Sequence, residues 1–127
     1  MTLEPQLKAR CDAAVELVMR EVKSAKAAVI CSEDGFEVSA RVENNAQISR
    51  LSAMASSFSA LGALVGEESQ LGACKYVLVD AEGGLILILQ ARNPQHVLTL
   101  CIVTGRDAVA GQMLYFAKEA AQTLVKA

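Results

Sequence analysis

Residues 46–68 read AQISRLSAMASSFSALGALVGEE, and this stretch decides the fold. Ile48, Leu51, Met54 or Ala55, Phe58, Leu61 and Leu64 or Val65 recur at steps of three and four. That is the helical repeat, and it predicts a helix of about six turns. The residues between the large ones are unusual. Ser52, Ala55, Ser56, Ser59, Ala60, Gly62, Ala63 and Gly66 leave little bulk on the other faces, and Arg50 is the only charge between Glu43 and Glu67. A surface helix of a monomer normally carries a charged outer face. This one lacks it, so a second surface of the helix is expected to be covered too, by a second copy of the chain.

The flanking sequence supplies the other cover. Leu7, Cys11, Ala14 or Val15, Val18 and Val22 predict a first amphipathic helix over about 4–23, with Pro5 in its first turn. The period then falls to two. Ala27 to Ser32 reads as a strand, Asp34-Gly35 as a hairpin turn and Phe36 to Val42 as the partner strand. Phe36, Val38, Ala40 and Val42 are expected inward and Glu37, Ser39 and Arg41 toward water, which fits an outer position in a sheet. Asn44 or Asn45 is the expected cap of the central helix, with Gln47 completing a capping box if Asn44 is the cap, and Gly66 or Gly72 its end.

Three strands follow, at 73–80, 84–91 and 96–104, joined by turns short enough to make the neighbours antiparallel. LILIL at 85–89 and LTLCIV at 98–103 are apolar without alternation. Both faces of those strands must therefore be covered by helices. Asp107 is the expected cap of a last helix reaching Val125, with Val109, Met113, Phe116 or Ala117, Ala120 and Leu124 buried. Gly111 in its first turns is expected to let the helix approach the sheet closely.

Composition narrows the function classes. The chain has 127 residues, which suits one domain over 1–127, and its net charge of −2 gives no electrostatic footprint for nucleic acid. Aromatics are 4% with no Trp, which nearly rules out aromatic platforms for bases or sugars. Cys11, Cys31, Cys74 and Cys101 contain no CxxC pair, and each falls in an apolar segment where a free thiol is read as buried. With His96 the only histidine, no metal site is expected. The 18 N-terminal residues carry charges throughout and no apolar signal core, and no apolar run is long enough to insert in a membrane. A soluble cytoplasmic protein is expected.

VICSEDGFEVSA at 29–40, LSAMASSFSALGALVGEE at 51–68, VLVDAEGGLILIL at 77–89 and a closing helix with an early glycine together resemble the roadblock/dynein light chain family, its bacterial members most. The resemblance implies an α+β fold of three layers. Its five-stranded antiparallel sheet carries the elements in the order α-β-β-α-β-β-β-α, with the central helix on one face and the terminal helices on the other. It also implies dimers in which central helices pack together and the following strands pair edge to edge. That assigns the interface to Leu51, Ala55, Phe58, Ser59, Gly62 and Val65 of the helix and to Lys75, Val77 and Val79 of the strand.

Function follows from the same resemblance. It implies a non-enzymatic regulator or scaffold that homodimerises and binds a small Ras-like GTPase, without a cofactor; an adaptor in a signalling complex is the alternative. Arg41, Arg50, Arg92 and Arg106 are the residues able to serve as an arginine finger. An enzyme is disfavoured because no nucleophile has a base and an orienting acid in view, and the GlyGly at 83–84 is a strand turn with no helix after it to cradle a phosphate. A small-ligand sensor ranks third, since the inward positions lack polar groups to orient a ligand.

Overall fold

The computed structural model describes residues 4–43 and 48–125. Three helices, α1 (Pro5–Glu21), α2 (Ile48–Glu68) and α3 (Ala110–Val125), enclose five strands, β1 (Ala25–Ser32), β2 (Glu37–Val42), β3 (Val77–Ala81), β4 (Gly84–Arg92) and β5 (Val97–Thr104). The strands form one antiparallel sheet in the order β2-β1-β5-β4-β3. The three-layer arrangement is as the sequence predicts. The expected caps Asn44, Asn45 and Gln47, and the expected helix start at 46, lie outside the described residues.

The pleat sorts the core into two unequal halves. Ala28, Ile30, Leu87, Leu89, Leu100 and Ile102 point to α1 and α3, where they meet Leu7, Cys11, Val15, Val18, Met113, Ala117 and Leu124. Val29, Cys31, Ile88 and Cys101 point to α2, which among the described residues offers only Ala55 as a fully buried apolar partner. Each run of uninterrupted apolar sequence thus serves both faces.

Several expectations are corrected at edges and ends. β2 carries a bulge: Ile30 pairs with Ser39 and Cys31 with Glu37, so Val38 is the extra residue. The bulge places Val38 on the α1 side with Ser39, while Ala40 and Val42 pack toward α2. Ser39 is buried rather than in water because α1 covers that face of β2, and Phe36, just before the strand, is 69% exposed. β3 starts at Val77 instead of residue 73, and ahead of it the Cys74 thiol lies against the Tyr76 carbonyl at 3.3 Å.

The helix ends differ as well. Gly66 lies inside α2, which closes with Gln70 in the left-handed region at φ 59°. Leu71 N–H donates to the Gly66 carbonyl and Gln70 N–H to that of Glu67, the paired bonds of a Schellman end. Asp107 sits in the turn after β5, three residues before α3, and Val109 is exposed. A Cβ added at Gly111 would meet nothing within 4 Å, so that glycine makes no close approach to the sheet. Close approach falls instead to Gly84, where a Cβ would stand 2.0 Å from the Thr104 carbonyl oxygen.

Candidate interaction surface

Helix α2 has two apolar rows. Ser52, Ala55, Ser59, Gly62 and Gly66 face the chain's own sheet and its following loop, at steps of three and four. A Cβ at Gly62 would be 2.9 Å from both Cys74 Sγ and Val77 Cγ2, so small residues here set how closely the helix lies. Polar contacts fix its slant. Ser56 Oγ donates to the Glu33 carbonyl at 2.7 Å, and the Cys31 thiol points at the Ser52 carbonyl at 3.5 Å.

The second row is Met54, Phe58, Leu61 and Val65, with Leu64 beside it. These five side chains are between 42% and 61% exposed. At 3.6 residues per turn the two rows lie roughly 110° apart around the helix. Steps of four, three and four give the outer row the spacing of a coiled-coil seam. Ala53, Met54, Ser57, Phe58 and Leu61 line a shallow apolar depression along it.

At one end of the sheet, β3 is paired only with β4, which leaves its outer edge open among the described residues. Val77 and Val79 are half-buried toward α2, while Tyr76 and Leu78 are exposed. Gly62, in the inner row of α2, lies against Val77 of this edge strand.

The interface residues expected from sequence therefore divide. Phe58 and Val65 stand on the open surface of α2. Leu51, Ala55, Ser59 and Gly62 are turned toward the chain's own sheet, Ala55 and Ser59 being buried there. Lys75 is exposed just before β3, and Val77 and Val79 lie on it. Sequence reasoning passed over Met54, Leu61 and Leu64 in naming the interface, although they sit in the same periodic stripe.

The remaining chemistry is sparse. Arg41 pairs with Glu16 and Arg92 donates to Gln90 Oε1 at 3.1 Å, while Arg50 and Arg106 are exposed. His96 is half-buried, and its main-chain N–H is held by Asn93 Oδ1 at 2.8 Å. Burial pushes the thiols of Cys11 and Cys31 up to about 11 and that of Cys101 up to about 12. Cys74, expected to be buried, is exposed. Among the described residues no group of three or more His, Cys, Asp or Glu could hold a metal ion, and no helix is long and apolar enough to cross a membrane.

No protein-family model matches the chain, and no curated protein matches it in sequence. Solved structures match it in fold. A structure of MglB in a tetrameric arrangement superimposes with a TM-score of 0.83 at 19% identity, covering 98% of this chain and 91% of that one. Myxococcus xanthus MglB gives 0.81 at 11% identity, over 100% of this chain and 98% of that one. The roadblock/LC7 domain from Streptomyces avermitilis gives 0.79 at 22% identity, over 89% and 92%. The chain has the roadblock/LC7 fold.

Proposed function

We propose that residues 1–127 act as one roadblock-like domain that homodimerises and, without catalysis of its own, regulates or scaffolds a small Ras-like GTPase in the cytoplasm. The observation that carries the dimer is the second apolar row of α2. Completing the burial of its five large side chains contributes on the order of 5 kcal/mol per protomer. Association costs about 4–15 kcal/mol in lost freedom, so the two helices alone come near break-even and the β3 edges must add to them. In this dimer Phe58 and Val65 make contact together with Met54, Leu61 and Leu64. Lys75, Val77 and Val79 bring the strand edge, and Leu51, Ala55, Ser59 and Gly62 hold the helix on its own sheet from beneath.

The GTPase reading rests on the sequence resemblance and on fold neighbours that include MglB and MglC of Myxococcus xanthus. The proposed action is binding; Arg41 and Arg92 already have partners within the chain, which leaves Arg50 and Arg106 as the exposed candidates for an inserted arginine. A dimer that binds the GTPase switch regions more tightly in one nucleotide state shifts their population toward it. The test is a pull-down from the source organism's lysate on immobilised protein, with GDP and with a non-hydrolysable GTP analogue in parallel. Retention of one small GTPase in a single nucleotide state supports the regulator. Retention that ignores nucleotide, or that brings down a kinase or another roadblock-like chain, replaces it with the adaptor reading.

A further inference from the structure

Beyond β3 the sheet has a second vacancy. β3 begins at Val77, opposite Ile88, whereas β4 continues to Arg92, so the outer edge of residues 89–92 has no neighbouring strand among the described residues. Asn93 and His96 exchange main-chain hydrogen bonds that close the β4–β5 loop. Antiparallel strands alternate the direction of their main-chain groups. Leu89 and Ala91, in phase with Asn93, therefore aim theirs at β5, and Gln90 and Arg92 aim theirs at the vacant side. Alongside runs a groove of about 460 Å³ with an apolar lining that includes Val77, Leu114 and Val125. Its charged lining residues are Lys75, Arg92 and Lys118, and among the described residues no carboxylate lines it, in a chain whose net charge is −2. Arg92 also bonds to Gln90 Oε1, which ties the two side chains together on one face of the strand.

We propose that this groove docks an extended acidic segment of a partner protein, which adds a short strand to Gln90–Arg92 and sets its carboxylates against Lys75, Arg92 and Lys118. The main-chain groups of Gln90 and Arg92 hold the segment whatever its sequence. The three cations select its sign, and they repel the same groove of another copy, which guards the open edge against self-pairing. This site goes beyond the dimer and GTPase readings and needs neither.

The test uses ¹⁵N-labelled full-length protein and a blocked peptide of about six residues alternating glutamate with valine. Saturable shifts of the Gln90 and Arg92 amides are expected, weakening as salt is added. The combined Arg92→Glu and Lys118→Glu variant, changed only at exposed positions outside the proposed dimer contact, is expected to lower the affinity about tenfold or more. A lysine–valine peptide, and a glutamate–valine peptide N-methylated at alternate amides, are expected not to bind. The proposal is overturned if the acidic peptide leaves those amides unmoved, if the N-methylated or lysine peptide moves them equally, or if the charge-reversed variant binds as the parent does. It is also overturned if the same amides shift on diluting the protein without peptide, because a second copy then occupies the groove.

Discussion

Ser39 Oγ donates a 2.6 Å hydrogen bond to Asp12 Oδ1, tying the outermost strand of the sheet to α1. Lys8 holds the same carboxylate at 2.7 Å. The Lys8 contact first, and the Ser39 hydroxyl second, keep the Asp12 carboxyl below its ordinary value of 3.8. A depressed carboxyl stabilises the fold above its unfolded value and loses that contribution as pH falls through the folded one. Stability from this contact is therefore expected to be level above pH 3.8 and to fall below it. Asp12→Asn should flatten that acid limb slightly, since the carboxylate is mostly solvated. Ser39→Ala should cost about 1 kcal/mol at neutral pH, read from urea unfolding.

The glycines of the helices should respond in opposite directions. Gly111→Ala meets no atom and removes a helix-weakening residue, so it should stabilise the protein, by up to about 1 kcal/mol. Gly66→Ala should destabilise it by roughly 2 kcal/mol or more, because the new Cβ would lie 2.3 Å from the Gly72 carbonyl oxygen, a main-chain atom that cannot move aside alone. Urea midpoints of the two variants measured together check both signs. Equal shifts would mean that the α2–β3 connection is looser than its packing indicates.

How much of this was legible in the sequence depends on what each signal reports. The runs at 85–89 and 98–103 carry their double burial in composition, and the structure places their alternate residues on opposite cores. Helix α2 was legible as a helix with two apolar faces, yet helical periodicity does not say which face meets the sheet. Size decides that. A helix lying close enough for Gly62 to meet Cys74 and Val77 takes small residues inward and turns Phe58, Leu61 and Val65 out. The burial of Ser39 had no sequence signal, because alternation puts it on the polar face of β2 and does not tell that α1 covers that face; only the turn of Val38 toward α1 depends on an extra residue that strand pairing reveals.

Thiol reactivity should separate the four cysteines. At pH 8, thiols pushed up to about 11 or 12 carry almost no thiolate, and burial keeps reagent from Cys11, Cys31 and Cys101. Cys74 is exposed. Iodoacetamide on the folded protein should add one group, located at Cys74 by peptide mapping, and four in urea. Rapid modification of Cys101 in the folded protein would contradict the packing of the α2 half of the core.

Gln70 closes α2 in the left-handed region, where a side chain crowds the following carbonyl. Gly is free of that penalty. Gln70→Gly should therefore stabilise the protein by about 1 kcal/mol, less some entropy gained by the unfolded chain. A urea midpoint that rises without a change in slope is the expected reading. A lower midpoint would show that the Schellman bonds at Gly66 and Glu67 do not govern the helix end.

The outer row of α2 is the feature on which the dimer depends, and it can be removed without touching the row beneath. Phe58→Asp with Leu61→Asp puts two carboxylates into the seam, where association would have to desolvate them. Both positions are exposed in the single chain, so the fold should survive, as far-ultraviolet circular dichroism can check. Gly62→Glu is unsuitable for this purpose, because a side chain there would collide with Cys74 and Val77 of the same chain and unsettle the fold itself. Light scattering at micromolar concentration should find the parent at twice the 13.4 kDa chain mass and the double variant at the single mass. Tyr115→Asp, on α3 across the sheet, should leave the dimer intact. A parent that is monomeric, or a double variant that stays dimeric, would remove the second apolar row as the basis of assembly.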